Sequence, residues 1–184
     1  MPRSRFGFLA SDLLRKNVEE TFQHLAHLLT IVKDSNYPAE AKSAFCKTII
    51  VHTGSIIEAL LFALLDERYT DEDIKNHYAY WQLKKPFHEL HSVSDKHIVV
   101  AGQYKLTPGK NGKTKLNLSQ ICEFLKEKGM MSKDMHKKVE KVRNLRNEQH
   151  LATRKKLQSY TIKDVHEAFT TAREVKEFVR SELS

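Results

Sequence analysis

The chain contains few of the residues that cross-link a fold or build cofactor loops. Its 184 residues include two cysteines, six glycines, four prolines and one tryptophan. Cys46 and Cys122 lie in separate apolar runs without a CxxC spacing, which argues against a disulfide framework and against a zinc finger. The glycines form no phosphate-binding loop motif. We therefore expect buried, reduced thiols, a reducing cytoplasm and no cofactor.

Long apolar runs are also missing. No run approaches the length of a membrane span, and residues 1–10 have too few apolar side chains for a signal peptide. With 40% hydrophobic and 29% charged residues, the composition is that of a soluble globular protein. The sequence predicts a single cytoplasmic domain over residues 1–184, without a membrane partner.

The positive charge is concentrated in the second half of the chain. Residues 1–92 carry 11 Lys and Arg against 12 Asp and Glu, whereas residues 93–184 carry 20 against 11. A basic half of this kind is typical of proteins that bind a polyanion such as RNA. The alternative is a set of solvated helix faces that happen to be rich in lysine.

The spacing of apolar residues predicts an all-α fold. The second predicted helix is apolar almost all round, which places it in the middle of a bundle. The others are amphipathic, and capping residues such as Thr161 mark where they begin. The fold class we expect is an up-and-down helical bundle of four to five main helices. They span residues 9–34, 39–66, 119–128, 133–151 and the segment after Thr161.

Residues 70–118 are expected to hold minor elements. Thr70 and the acidic residues after it predict a helix that continues to about Lys84. A shorter helix is expected over residues 87–94, after Pro86. The β-branched and aromatic residues that follow, together with Gly109 and Gly112 in a turn, predict a small β-hairpin insertion near residues 96–118.

Residues 142–151, Val-Arg-Asn-Leu-Arg-Asn-Glu-Gln-His-Leu, carry the most informative pattern. On one helix, Arg143, Arg146 and His150 would share a face beside the apolar stripe of Val139 and Val142. Charge at the margin of a core is costly unless it is paired or used. A guanidinium suits phosphate, and a histidine can transfer a proton near neutral pH. The set therefore fits RNA cleavage without a metal.

This segment resembles the motif of the HEPN superfamily of helical-bundle proteins. The motif is an Arg, usually followed by a polar residue, with four to six residues in all before a His. Six residues, beginning with Asn144, lie between Arg143 and His150, and the run from Arg146 to Leu151 looks like a form common in bacterial members. The order of the predicted helices is similar as well.

The resemblance implies a metal-independent endoribonuclease that acts as a homodimer with the motif helices at the interface. Many members serve in antiviral defence or as toxins, and an antitoxin or a nucleotidyltransferase is a further expected partner. Cleavage would leave a 2′,3′-cyclic phosphate and a 5′-hydroxyl. Arg143 and His150 match the motif, with Asn144 as the polar follower. Further candidates are Arg146 and Asn147 for catalysis, and Lys110, Lys113, Arg154, Lys155 and Lys156 for RNA binding.

Glu58 is expected to position these residues without contacting the substrate itself. It lies in the most apolar helix, where an ionised carboxylate needs a partner, and it would orient Arg143 or Arg146. Alternatively, Glu58 occupies a partly exposed position of no special role. A plainer interpretation of the whole cluster is that the arginines pair with Glu58, Glu140 or Glu148 for stability. The protein would then be a non-catalytic module that binds nucleic acid or a partner protein.

Other histidines and aromatic residues carry weaker expectations. His52 is expected in the interior, and His88 and His91 lack further ligands at suitable spacing, so no metal site is predicted. Tyr78, Tyr80 and Trp81 have side chains that can stack on bases. At helical spacing, such residues are more often core or dimer contacts.

Overall fold

The structure, a computed structural model, describes residues 5–34, 36–147 and 159–184. The chain forms two compact units. Unit 1 comprises Met1–Arg68 and Asn117–Ser184, and unit 2, Tyr69–Leu116, is inserted between them. The described residues form mainly helices, with two small antiparallel sheets of two strands each.

Unit 1 contains the long helices that the apolar periodicity predicts. Its helices are α1 (Asp12–Lys33), α2 (Ala39–Arg68), α4 (Leu118–Glu127), α5 (Lys133–Asn147) and α6 (Ile162–Leu183). The ends of these helices lie within about three residues of the predicted ends. The exception is the end of α5, because the predicted helix continued to residue 151. The segment after Asn147 lies outside the described residues.

Capping residues define several of these helix ends. The Thr161 hydroxyl accepts from the Asp164 N–H while the Asp164 carboxylate accepts from the Thr161 N–H, as the sequence predicts. Asn117 and Gln120 make the same reciprocal pair at the start of α4, two residues before the predicted start. Ser132 accepts from the Met135 N–H at 3.1 Å. Gly129, with φ of 74°, follows the end of α4.

The core of unit 1 is built around α2, which packs against α1, α4, α5 and α6. A helix with four neighbours has little surface left for water, which explains why α2 is apolar on nearly every side. Its fully buried side chains, at 0% exposure, are Ile49, Ile50, Thr53, Ile57, Leu60, Leu61, Leu64 and Leu65. Cys46 in α2 and Cys122 in α4 are free and buried, which confirms the expectation for the thiols.

By length and composition alone, α2 is apolar enough to cross a membrane. However, 56% of its most apolar window is buried inside the protein. The core helix of a globular protein has the same character.

Unit 2 differs from the predicted arrangement. Helix α3 (Asp71–His77) begins with the predicted cap at Thr70 but ends well before residue 84. Strand β1 (Tyr80–Leu83) follows and pairs with β4 (Tyr104–Thr107), while β2 (His88–Ser94) pairs with β3 (His97–Ala101). The predicted helix over residues 87–94 is therefore wrong, since this segment is β2.

The predicted hairpin was placed too late in the chain. The hairpin of adjacent strands turns at residues 95–96, and residues 108–117 contain no strand. This later segment folds back on α3 instead: the Gly109 N–H donates to the Lys75 carbonyl at 2.7 Å, and the Lys113 N–H donates to Asp71 Oδ1 at 2.8 Å. A Cβ at Gly109 would lie 2.8 Å from the Tyr78 Cβ, so glycine serves this close approach and not a hairpin turn.

Candidate functional site

The predicted site begins with the way α5 lies on the core. Val139 and Val142 are buried at 0% and 3% exposure, and they fix the inward face of the helix against α2, α4 and α6. Arg143 and Arg146 are half-buried beside this face. Their guanidiniums therefore stand at the margin of the core, as the sequence predicts.

Arg146 lies across α2 and reaches Glu58. An added Cβ on Gly54 would be 3.3 Å from the Arg146 Cδ, so the stem of the arginine rests on this glycine. One helical turn further along α2, Glu58 Oε2 accepts a hydrogen bond from Arg146 Nη1 at 2.6 Å. The side chains of the pair are 33% and 32% exposed. Glu58 is thus both partly exposed and paired with one of the two arginines proposed for it.

Arg143 has a different partner. Its Nε and Nη2 both donate to the carboxylate of Glu140, one turn earlier on α5, at 2.6 to 3.0 Å. These hydrogen bonds raise the pKa of the Arg143 guanidinium above its usual value. Such a two-point contact between planar groups fixes the orientation of the guanidinium as well as its charge.

Cys122 on α4 connects the two ion pairs electrostatically. Burial raises the pKa of its thiol to about 12, and the negative charges of Glu140 and Glu58 contribute in the same direction, while Arg143 opposes them. Charges from both pairs therefore act on one buried atom. A thiol with this pKa stays protonated, so it is not a nucleophile near neutral pH.

A groove of about 550 Å³ lies on the other side of α5, against α6. Lys138 forms an ion pair with Glu174 across it, and Lys141 forms one with Glu167. The charged and titratable residues that line it are Lys138, Lys141, Lys163, His166, Glu167 and Glu174. This surface was not predicted from the sequence. The spacing of the lysines on α5, on the side away from its arginines, was the signal that could have found it.

The remaining predicted site residues fall into three groups. Asn144 and Asn147 are exposed on α5. Lys110 and Lys113 belong to unit 2, where Lys110 is exposed and Lys113 begins a short 3₁₀ turn. The predicted catalytic His150, the paired alternative Glu148 and the basic residues Arg154, Lys155 and Lys156 lie outside the described residues.

His52 is exposed and not interior, which corrects the expectation for it. Its ring centroid lies 6.2 Å from that of His24 on α1. Glu20 and Thr21 line the same small cavity. Within the described ranges, no three His, Cys, Asp or Glu side chains are close enough together to hold a metal ion. His88 and His91 are exposed on β2.

A second cavity, of about 570 Å³, lies among α1, α2, α6 and the residues before α1. Its wall is mostly apolar, and Arg5, Arg173 and Lys176 stand on it. None of the predicted site residues that the structure describes lines this cavity.

Comparison with known proteins adds no relative. No protein-family model matches the sequence, and no curated protein or solved structure is significantly similar to it.

Proposed function

We propose that the protein is a metal-independent endoribonuclease of the HEPN type. The observation that supports this best is the placement of Arg146, whose stem lies on Gly54 and whose guanidinium is held by Glu58 at 2.6 Å. A positive charge held ready at the edge of a core can bind a phosphate without reorganising during the reaction. Arg143 lies one turn earlier on the same helix, and His150 comes four residues after Arg146.

Each residue has a proposed role in cleavage. Arg143 and Arg146 bind the scissile phosphate and stabilise the charge that develops on it. His150 transfers the proton between the reacting oxygens, either from the 2′-hydroxyl or to the departing 5′-oxygen. Asn144 and Asn147 hold the substrate, and Glu58 is a positioning residue for Arg146. The products are a 2′,3′-cyclic phosphate and a 5′-hydroxyl.

The proposal includes a homodimer in the cytoplasm. A single histidine supplies one proton-transfer group, whereas two copies facing each other supply both a base and an acid. The helices packed on α2 would form the up-and-down bundle of the HEPN type, with α5 at the dimer interface. Arg154, Lys155 and Lys156 are proposed to bind RNA, and Lys110 and Lys113 are the proposed RNA-binding residues of unit 2. The role of the protein would be in antiviral defence or in a toxin–antitoxin pair.

The test is cleavage of labelled RNA in EDTA by the purified protein and by His150→Ala. We expect the parent to cut and His150→Ala to lose at least about a hundredfold in rate, since a proton-transfer group contributes about that much or more. The matched control is His27→Ala, which removes an exposed histidine from α1. RNA with a single 2′-deoxy substitution at the cleavage site should resist cutting there.

Two results would contradict the assignment. One is His150→Ala cutting as fast as the parent, and the other is cleavage at the 2′-deoxy position. Circular dichroism of each variant separates a lost function from a lost fold.

A second candidate function is a non-catalytic module that binds RNA or a partner such as an antitoxin or a nucleotidyltransferase. It is favoured by the two ion pairs, because Glu140 and Glu58 already neutralise Arg143 and Arg146. In that case the protein binds labelled RNA or its partner in EDTA, and every variant leaves the RNA intact.

A further inference from the structure

One face of the β1–β4 ribbon in unit 2 presents aromatic and apolar side chains to water. Trp81 pairs with Leu106, and Leu83 pairs with Tyr104. Cross-strand partners lie on the same side of a sheet, and so do residues two apart on one strand, so all four share a face. Trp81 is 68% exposed, Tyr104 57% and Leu106 51%. We call this the aromatic face.

The ribbon that carries the aromatic face is anchored within unit 2. The Lys84 N–H donates to the Gln103 carbonyl at 2.8 Å, which extends the pairing beyond Leu83. Leu83 itself closes over Gly102, where an added Cβ would lie 2.7 Å from the Leu83 Cδ1. On the opposite face, Thr107 Oγ1 donates to Gln82 Oε1 at 3.2 Å. The backbone that carries the exposed rings is therefore held in place by these contacts, and it loses little conformational freedom when a ligand stacks on the rings.

The charge around the ribbon favours an anionic ligand. Residues 96–122 contain five lysines and neither Asp nor Glu. Lys84 and Lys85 follow β1 directly, and Lys105 lies within β4 on the face opposite the aromatic face. All three are exposed, and none of them makes an ion pair with another residue in the described part of the chain. An apolar protein partner would leave these ammonium groups without a counter-charge, whereas a phosphate backbone neutralises them.

We propose that the aromatic face binds single-stranded RNA, with bases stacked on Trp81 and Tyr104 and phosphates on Lys84 and Lys85. Flat rings beside lysines are the usual means of binding unpaired nucleic acid without reading its sequence. The inference rests on the proposed function in taking RNA as the substrate, and it narrows that substrate to RNA with an unpaired segment. Duplex RNA has its bases stacked already and offers them no access to the rings.

The sole tryptophan of the chain makes the test direct, because Trp81 emission reports contact at this face alone. The probe is a 12-nucleotide 2′-O-methyl oligoadenylate, which lacks the 2′-hydroxyl that cleavage needs, so the full-length parent protein can be titrated unchanged. We expect the oligonucleotide to quench Trp81. Inorganic polyphosphate, which carries charge without bases, should not, and a duplex of the same length should bind more weakly.

The variants measure the contribution of each ring by anisotropy of the labelled oligonucleotide. Tyr104→Ala and Trp81→Ala should each weaken binding about 5- to 100-fold, which corresponds to one stacked base. Trp81→Phe keeps a ring and should recover most of the affinity. Tyr80→Ala is the matched control, since Tyr80 lies on the opposite face of the same strand and should leave the affinity unchanged. These side chains are exposed, and circular dichroism verifies that each variant is folded.

Three results would overturn this inference. In the first, Trp81→Ala and Tyr104→Ala bind the oligonucleotide as tightly as the parent. In the second, anisotropy reports binding while Trp81 emission stays constant. In the third, Trp81→Ala turns a dimer into a monomer on gel filtration without a change in RNA affinity, which makes the face a contact between copies.

The outcome is separable from that of the proposed cleavage. Quenching by the oligonucleotide together with intact unmodified RNA supports the aromatic face and contradicts the nuclease. Cleavage of unmodified RNA with unaltered binding by both ring variants supports the nuclease and contradicts the aromatic face.

Discussion

At the scale of single residues, the molecule places charge where it has to be balanced. Arg146 and Arg143 lie at the edge of a core, and each is held by a carboxylate, Glu58 from another helix and Glu140 from the same one. A half-buried ion pair of this kind contributes modestly to stability, but removing one member leaves a charge that water reaches poorly. The proposed binding of phosphate by these arginines therefore requires the phosphate to compete with the two carboxylates.

The buried thiol of Cys122 should make the free energy of unfolding depend on pH. A thiol in the unfolded chain ionises near pH 9, whereas burial raises the pKa of folded Cys122 to about 12. Below pH 9 the thiol is protonated in both states and its contribution to stability is complete. Between pH 9 and 12 only the unfolded state releases the proton, so the free energy of unfolding should fall as the pH rises.

The measurement is urea unfolding followed by circular dichroism from pH 8 to 11. The parent should lose stability with pH more steeply than Cys122→Ala, and the two slopes are compared because the cavity left by alanine lowers stability at every pH. Cys46→Ala serves as the comparison for removing a buried thiol from another helix, where burial also raises the pKa of the thiol. Parallel slopes for the parent and Cys122→Ala would refute the linkage.

At the scale of elements, the contact between α2 and α5 depends on a glycine, which has no side chain to keep the two helices apart. Gly54 lies under the stem of Arg146, with the Val142 Cγ1 3.8 Å from the position of a Cβ. Gly54→Leu should displace the arginine from Glu58 and lower the free energy of unfolding by about 1–3 kcal/mol through overpacking. Gly54→Ala needs only a few tenths of an ångström from a flexible side chain, and it gains about 1 kcal/mol of helix propensity.

We expect Gly54→Ala to be close to neutral in urea unfolding, and Gly54→Leu to be clearly destabilised and to bind RNA less tightly. The matched control is Gly129→Ala, which affects the end of α4 through its positive φ and leaves Arg146 untouched. Equal stability and equal RNA binding for the leucine and alanine variants would show that Arg146 does not rest on Gly54.

The elements also show what the sequence could and could not predict. The long helices were predictable because each must bury one stripe of apolar residues, and the pairing of Glu58 followed from placing a carboxylate in an apolar helix. The strands were not, since Tyr80–Leu83 pairs with Tyr104–Thr107 and local periodicity holds no record of so distant a partner. The groove against α6 was missed for the same reason, because two separate helices contribute its walls.

At the scale of the whole molecule, the net charge of +8 should make RNA binding depend on the salt concentration. The affinity for single-stranded RNA should fall at least about tenfold between 50 and 200 mM salt. In Lys84→Gln/Lys85→Gln, the slope of log affinity against log salt should be smaller by about 1.4, at about 0.7 for each lost phosphate contact. Filter binding over a salt series measures both quantities.

The control is the double variant Lys16→Gln/Lys33→Gln, which removes the same charge from exposed positions on α1. Its slope should equal that of the parent. Equal slopes for both double variants and the parent would place the phosphate contacts on other residues.

The insertion of unit 2 affects the synthesis of the protein. Helix α2 is complete at residue 68, but α6, which covers much of it, begins only at residue 162. At about 5–20 residues per second, the ribosome needs on the order of ten seconds to deliver this last partner. Throughout that interval the most apolar helix of the nascent chain is without its final cover, so chaperones that bind hydrophobic segments should find it there.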